Sequence, residues 1–526
     1  MTGESREGSD TARRGGSRTM IAVCLGLAAL PALALLYKLY HYGLYFPYWD
    51  AWHFALFLEK AAGEGVGLAD FWAQHNEHRS VFPRLVMYAL ASLSGWNVAW
   101  ELAANVLLAT ATLLLLARAA WLPFPPGERP WWLIPLFAFL VYSWAQMENW
   151  IWGWQIHVFL NVAAVVFAAL LLSGPQLTPL RFAASIFAVV VASFSFANGL
   201  LAWIALAPLV LLRPGIAREA RIIYSLLWIA AGLLVIQLYL IDYAKPGVSP
   251  SIGAVLRAPR QFLGFVVLYL GAPITGLFTR LPWHGVALPA GPLDYLAGAV
   301  GLLALPLLAA RLYRNDRASL APMLPWAGLA LYVLGSAAVT AAGRAALGLD
   351  QAMTSRYTTI TTLYWCALAA LVALHVRAFP VQALDCPRRR RVYGALASGL
   401  FLAFLLASLA SQRAWEQNAR WKQMGWEALR AGHLAPLYLQ DLCWDPVELR
   451  DRFLPILRER QLAGFGGENR PVALADRYVD EAERFVEAGL LIQAKTYLET
   501  ALILDESHER ARLRYQELRE AVEKNQ

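Results

Sequence analysis

The sequence predicts an all-α fold: a polytopic transmembrane helical bundle followed by a small C-terminal helical domain. Three observations predict it. Of the 526 residues, 58% are hydrophobic and only 16% charged, where soluble chains carry roughly 25% charged residues. Mean hydropathy is +0.45. Apolar runs recur from residue 20 to about 411, after which the composition turns charged and soluble. The 21 tryptophans fit this class, because indole rings favour the water–lipid boundary. The net charge of +8 is spread over short loops between apolar runs, so it reports orientation and not nucleic-acid binding. Cys24, Cys366, Cys386 and Cys443 show neither metal-ligand nor CxxC spacing.

Taken in order, residues 1–19 are polar, Gly/Ser-rich and basic (Arg6, Arg13, Arg14, Arg18), which reads as a disordered cytoplasmic tail. The apolar run from 20 to about 40 exceeds a signal-peptide core of roughly 7–15 residues, so it reads as an uncleaved first span. The arginines before it put the N-terminus inside and the loop at 41–80 outside. Within that loop, 52–62 (WHFALFLEKAA) has helical periodicity and suits a helix lying along the membrane surface, broken by Gly63, Gly65 and Gly67. Further apolar runs lie at about 81–95, 98–118, 131–147, 155–172, 182–212, 222–242, 262–280, 294–312, 323–343, 358–376 and 392–411. The run at 182–212 is long enough for two passes broken at Asn198-Gly199. With about 20 residues needed per crossing, the bundle spans 20–411 with roughly 11 to 13 passes.

Two basic loops, Arg311/Arg314/Arg317 and Arg377 with 388–391, belong in the cytoplasm. The turn at Ser355-Arg356-Tyr357 between them then faces outside, and one more pass exports residues 412–526. In this last region, 480–512 has helix-pair periodicity, with Ala482, Ala494 and Ala501 near the spacing of a tetratricopeptide repeat (TPR) and Gly489 at the turn. A TPR-like unit would suit a protein partner, and a plain helical cap is the alternative.

The polar groups gather in the first outer loop. Asp50 sits between Trp49 and Trp52 with His53 beside it, and His75, Asn76, Glu77, His78 and Arg79 follow within the same loop. Desolvation next to two indoles would raise the basicity of Asp50 and suit it to general-base work on a hydroxyl. Capping of the following helix is the structural alternative. Glu77 is a second carboxylate. Asp50, His75, Glu77 and His78 are candidate ligands for a divalent cation, although HNEH lacks the HExxH spacing. Arg79, Arg84 and Arg356, with Tyr357 beside the last, are candidate phosphate-binding groups, or arginines snorkelling to the interface. Glu148, Trp152, Trp154, Gln155 and His157 read either as the wall of a substrate cavity or as an aromatic belt. Glu101 and Asn105 lie a turn apart in one span, where a structural interhelical hydrogen bond or a polar function is open. No convincing internal repeat favours a transporter.

The motifs PYWDAWH, HNEHR, WGWQIH and SRYTT, in a chain whose first span leads to a large acidic outer loop and then to many more spans, resemble a poorly characterised bacterial branch of the GT-C superfamily of membrane glycosyltransferases. The resemblance implies a GT-C-like bundle in the bacterial inner membrane. It also implies transfer of a sugar, typically with inversion, from a polyprenyl-phosphate carrier to a glycan, lipid or protein acceptor. Asp50 resembles the family's first-loop acidic position and Arg356 its late-loop phosphate contact. Many relatives carry paired acids where Asp50 is followed by Ala51, which leaves Glu77 as the candidate second acid. A surface-polysaccharide polymerase or ligase and a lipid-linked sugar flippase are the alternatives.

Overall fold

The computed structural model describes residues 4–245, 257–279, 290–378 and 415–524, apart from 417, 431, 433, 435–438 and 466–473. The molecule is a helical bundle whose one sheet, among the described residues, is a two-residue-per-strand hairpin. Seven described helices are long and apolar enough to cross a membrane: Arg18–Tyr42, Val98–Trp121, Gly153–Ser173, Arg218–Leu240, Pro292–Asn315, Arg317–Leu347 and Ser355–Ala378. Val81–Ser94, Pro179–Ser193 and Ala197–Leu211 are shorter apolar stretches, and Pro259–Thr279 is a further 21-residue helix. The apolar run at 392–411 lies outside the described residues.

The helices form where the sequence offers long Leu/Ala/Val runs, and local chemistry sets their ends. Asn97 accepts the Ala99 N–H at 3.0 Å and starts Val98–Trp121. Thr178 with Pro179 starts Pro179–Ser193. Gly95 at φ +65° ends Val81–Ser94, a left-handed position that glycine adopts without penalty. Small residues then let helices meet: a Cβ on Gly298 would sit 1.8 Å from the Val267 carbonyl oxygen, so Pro292–Asn315 rests directly on the backbone of Pro259–Thr279.

Two expectations change, and a third, the break at Asn198-Gly199, is met. The first helix begins at Glu4, so the segment expected to be a disordered tail is helical, because extending an existing span needs no new nucleus. The run at 131–147 is not one continuous pass: it is helical only over Leu133–Val141. Short turns at Trp144–Gln146, Met147–Ile151 and Gly153–Gln155 then lead into Ile156–Ser173. Buried irregular backbone needs internal partners, and side chains supply them. Ser143 accepts from Ala145, the Trp150 indole donates to the Ser143 carbonyl, and Asn105 donates to the Trp152 carbonyl at 3.2 Å. Asn105 is thus an interhelical brace. The run at 182–212 breaks at the 3₁₀ turn Ala197–Leu201, where a Cβ on Gly199 would lie 2.1 Å from the Ala192 carbonyl oxygen.

The C-terminal region packs on the loop at 41–80. Helix Leu474–Glu487 and helix Leu491–Leu504 pair through the turn at Gly489 (φ +75°), and Ala482, Ala494 and Ala501 are fully buried. Trp421, in the helix over 418–430, stacks on Phe485 at 5.9 Å. On the other side of that helix Trp426 stacks on Phe46 at 4.9 Å. Trp52 is fully buried beside Trp426 and Phe453, and its indole N–H donates to the Leu442 carbonyl at 2.9 Å. Trp52→Ala is therefore expected to cost about 3–5 kcal/mol and to make residues 439–465 cleavable in limited proteolysis. Trp52→Phe, which keeps a ring but drops the hydrogen bond, should cost about 1 kcal/mol and leave the digest unchanged.

Candidate functional site

The Asp50 turn is a 3₁₀ segment, Trp49–His53, followed by helix Phe54–Ala62. Trp49 has φ +51°, a left-handed conformation that costs a bulky residue roughly 1–2 kcal/mol. Its N–H donates to the Leu442 carbonyl at 2.8 Å, the same oxygen that receives the Trp52 indole. The strained turn is thus pinned by the C-terminal region, and Asp50 projects from it.

HNEHR folds as a hairpin. Gln74–His75 pairs with His78–Arg79, His75 opposite His78, and Asn76 takes the turn position at φ +51°, which Asn tolerates better than most residues. His75 lies 3.7 Å from Asp50 across Nε2–Oδ2. Its ring packs edge-on to His53 at 5.2 Å and Trp154 at 5.0 Å. The His78 ring stacks on Phe196 at 4.2 Å, and its Nδ1 accepts the Ala197 N–H at 3.1 Å. The broken helix at Ala197–Leu201 therefore docks the hairpin. Glu77 points to Arg344 and His78, 3.9 Å from each.

Arg79 and Arg84, expected to meet a phosphate, are occupied elsewhere. Buried Arg79 donates to the carbonyls of Tyr239 (2.6 Å), Trp72 (3.0 Å) and Ile241. Buried Arg84 donates to those of Asp70, Phe71 and Ala73. Both guanidinium groups satisfy the open C-terminal carbonyls around the short helix Leu68–Trp72, work that suits a planar multi-donor fork as well as an anion does.

Arg356 is different. Its backbone carbonyl accepts from Asn149 at 3.0 Å, and Ser355 Oγ accepts the Glu148 N–H at 3.2 Å, which seats the late turn on the 147–151 segment. Its guanidinium lies 5.8 Å from the Tyr357 ring and within electrostatic reach of Glu148 and then Asp50. Among the described residues it makes no ion pair within 4.0 Å. One carboxylate oxygen of Glu148 is buried with no hydrogen-bond partner among the described residues. Trp152 meets Tyr48 at 5.7 Å, Tyr357 stacks on Tyr269 at 5.7 Å, and Gln155 is buried. His157 stacks on Trp154 at 4.4 Å and bonds its carbonyl, so this histidine supports the wall rather than facing the centre.

Asp50, His53, His75, Glu148, Trp154 and Arg356 thus share one neighbourhood built from three separate segments. Glu148 is the carboxylate with the strongest electrostatic pull on Arg356, whereas Glu77, the candidate second acid of the sequence, lies 3.9 Å from Arg344. Among the described residues no group of three or more His, Cys, Asp or Glu side chains converges as a metal site would, because His75 and His78 approach different carboxylates.

The electrostatics of Asp50 also differ from expectation. Burial pushes its carboxyl up, but the adjacent His75, then His53 and Arg356, outweigh that and hold it below the usual carboxylate range. Asp50 is an anion at neutral pH. Desolvation lowers His78 below the usual imidazole range, against the pull of Glu77, and lowers His53 likewise, with His75 adding to the effect.

Three charged residues near this neighbourhood, Lys422, Asp441 and Glu448, carry no signal in the chain. Lys422 lies 5.1 Å from the Tyr48 ring. Burial lowers its ammonium to about 8, against the pull of Glu148 and Asp441. Glu448 stands 4.0 Å from His53. These come from the charged C-terminal region, where single acids and lysines carry no pattern. Lys38 did leave a signal, a lysine inside an apolar run. It is buried, 4.1 Å from the Trp144 ring and 5.4 Å from the Trp415 ring.

No protein-family model, curated protein or solved structure matches the chain.

Two outcomes follow. Arg79→Gln should lower stability by about 3 kcal/mol through the lost charged hydrogen bonds, read as a drop in melting temperature. Stability should also respond to acid. The folded state keeps His78 unprotonated, whereas the unfolded chain protonates it near ~6.5, so stability falls as pH drops below that value. Asp50, with its depressed carboxyl, withdraws its contribution only below ~3.9. Between pH 7 and pH 5 the melting temperature should decline, and His78→Asn, which keeps an acceptor for Ala197, should flatten the decline.

Proposed function

We propose that this protein is an integral-membrane glycosyltransferase of the GT-C type. In this reading it sits in a bacterial inner membrane and moves a sugar from a polyprenyl-phosphate carrier to a glycan, lipid or protein acceptor on the outer face. The observation that carries the reading is Asp50, 3.7 Å from His75, within electrostatic reach of Arg356 together with Glu148, whose N–H bonds Ser355 beside that arginine, from segments some 100 and 200 residues apart, beside helices apolar enough to span a bilayer.

The chemistry follows from the charges. The acceptor hydroxyl donates a hydrogen bond to ionised Asp50. Its oxygen forms the new bond to the sugar's anomeric carbon as the bond from that carbon to the phosphate oxygen breaks. The proton passes to Asp50, and polyprenyl phosphate leaves with the bonding electrons. Arg356 stabilises the charge that develops on the leaving phosphate. Asp50, kept ionised by His75 and Arg356, serves chiefly to orient the hydroxyl and takes the proton late. Glu148, with one oxygen unpartnered, is a hydrogen-bond acceptor for a sugar hydroxyl. Glu77 stays with Arg344 as a brace of the hairpin. The C-terminal helices, TPR-like in spacing, lie on the acceptor side.

A flippase would use a broken helix to line a path, but the break at Ala197–Leu201 receives His78 instead. That favours an enzyme over a transporter.

Asp50→Asn should reduce transfer by roughly 10²–10⁴-fold with little change in melting temperature, and Arg356→Gln should impair it too. The measurement is mass-spectrometric profiling of envelope glycans and lipid carriers in cells lacking the protein, complemented with each form. An unchanged profile in the deletion strain, or full rescue by Asp50→Asn, overturns the reading.

A further inference from the structure

A cavity of about 240 Å³ opens between the 418–430 helix and the C-terminal helix pair. Trp421, Tyr478 and Tyr497 give it aromatic walls, while Asp441, Gln493 and Thr496 give it hydrogen-bonding groups. No lysine or arginine stands among its described lining residues, so none of these would hold a phosphate. Aromatic faces matched with neutral amides and hydroxyls suit a ligand that has C–H faces and hydroxyl edges together. A quaternary ammonium would use the rings and Asp441 but leave Gln493 and Thr496 without a task.

The cavity also shares a wall with the Asp50 site. Asp441 lines it and lies within electrostatic reach of Lys422 and Tyr48. The next residue, Leu442, accepts the two hydrogen bonds that pin the Asp50 turn. Trp421 faces the cavity, and its neighbour Lys422 faces the Tyr48 ring. One turn thus separates an aromatic, uncharged-ligand cavity from the carboxylate that would meet an acceptor hydroxyl.

We infer that this cavity is a saccharide subsite that holds a neutral sugar unit of the acceptor chain next to Asp50. Its role for the acceptor rests on the transferase reading, and its capacity to bind sugar does not. The acceptor class is then a glycan or glycosylated molecule, gripped at a unit set back from the one that receives the new sugar.

The test is isothermal titration of the full chain, reconstituted in lipid nanodiscs, with glucose, galactose, mannose, N-acetylglucosamine and their disaccharides. Choline serves as the competing cation. Gln493 and Thr496 line the cavity where helix Leu491–Leu504 is open to solvent, so the double variant Gln493→Ala, Thr496→Val keeps the fold, checked by its melting temperature. The expected result is binding of at least one saccharide to the wild type. The double variant should bind it about tenfold more weakly, the scale of one or two lost hydrogen bonds, and Asp50→Asn should bind it unchanged. Absence of saccharide binding, equal binding by the double variant, or binding of choline alone overturns the inference. Saccharide binding in a protein without transfer activity keeps the cavity and removes the transferase reading. Transfer without saccharide binding at this cavity does the reverse.

Discussion

The site depends on one carbonyl oxygen. Leu442 receives both the backbone N–H of Trp49 and the indole N–H of Trp52. These hydrogen bonds hold a left-handed tryptophan in a turn that an isolated peptide would leave. The strain is local and modest, roughly 1–2 kcal/mol, and strain of this kind persists where surrounding structure over-determines it. Here the surroundings are a chain segment some 390 residues away, whose Trp426 and Phe453 rings close over Trp52. Without that lid the Asp50 carboxylate would have no fixed direction.

Two guanidinium groups do comparable work for the hairpin. Arg79 and Arg84 gather the stray carbonyls around helix Leu68–Trp72 and the end of helix Arg218–Leu240. Backbone carbonyls near a membrane boundary are costly to leave unmet, and an arginine can answer several at once. Arg356 is held by its own main chain to the 147–151 segment, while its side chain keeps free of ion pairs within 4.0 Å among the described residues.

Much of this architecture was legible in the chain. The apolar runs at 98–118, 222–242, 294–312, 323–343 and 358–376 each correspond to a described helix, because composition alone decides what lipid will accept. The break at Asn198-Gly199 was legible too, since glycine interrupting a long run has few other reasons. Asp50, His75 and Arg356 were marked by their polarity in apolar surroundings; Asp50 and His75 lie 3.7 Å apart, and Arg356 is within electrostatic reach of Asp50. The function of Arg79 and Arg84 was not legible, because the carbonyls they serve are brought near only by tertiary contact and have no residue type of their own. Glu148 over Glu77 was a matter of direction: both are acids near aromatic clusters, and only the hairpin geometry turns Glu77 toward Arg344. Lys422, Asp441 and Glu448 sit in ordinary soluble sequence, where such residues are expected everywhere. The depressed carboxyl of Asp50 followed from neighbours that the local sequence, dominated by tryptophan, does not reveal.

The position of Leu442 in the chain also fixes an order of events. Every described candidate span precedes it, so the residue that sets the Asp50 turn leaves the ribosome after all of them. A nascent chain that has already inserted its helices still has an unset turn and a half-built pocket. Setting of the Asp50 turn is thereby deferred until residue 442 has been made, and a chain cut short before it has the helices but no anchor for that turn.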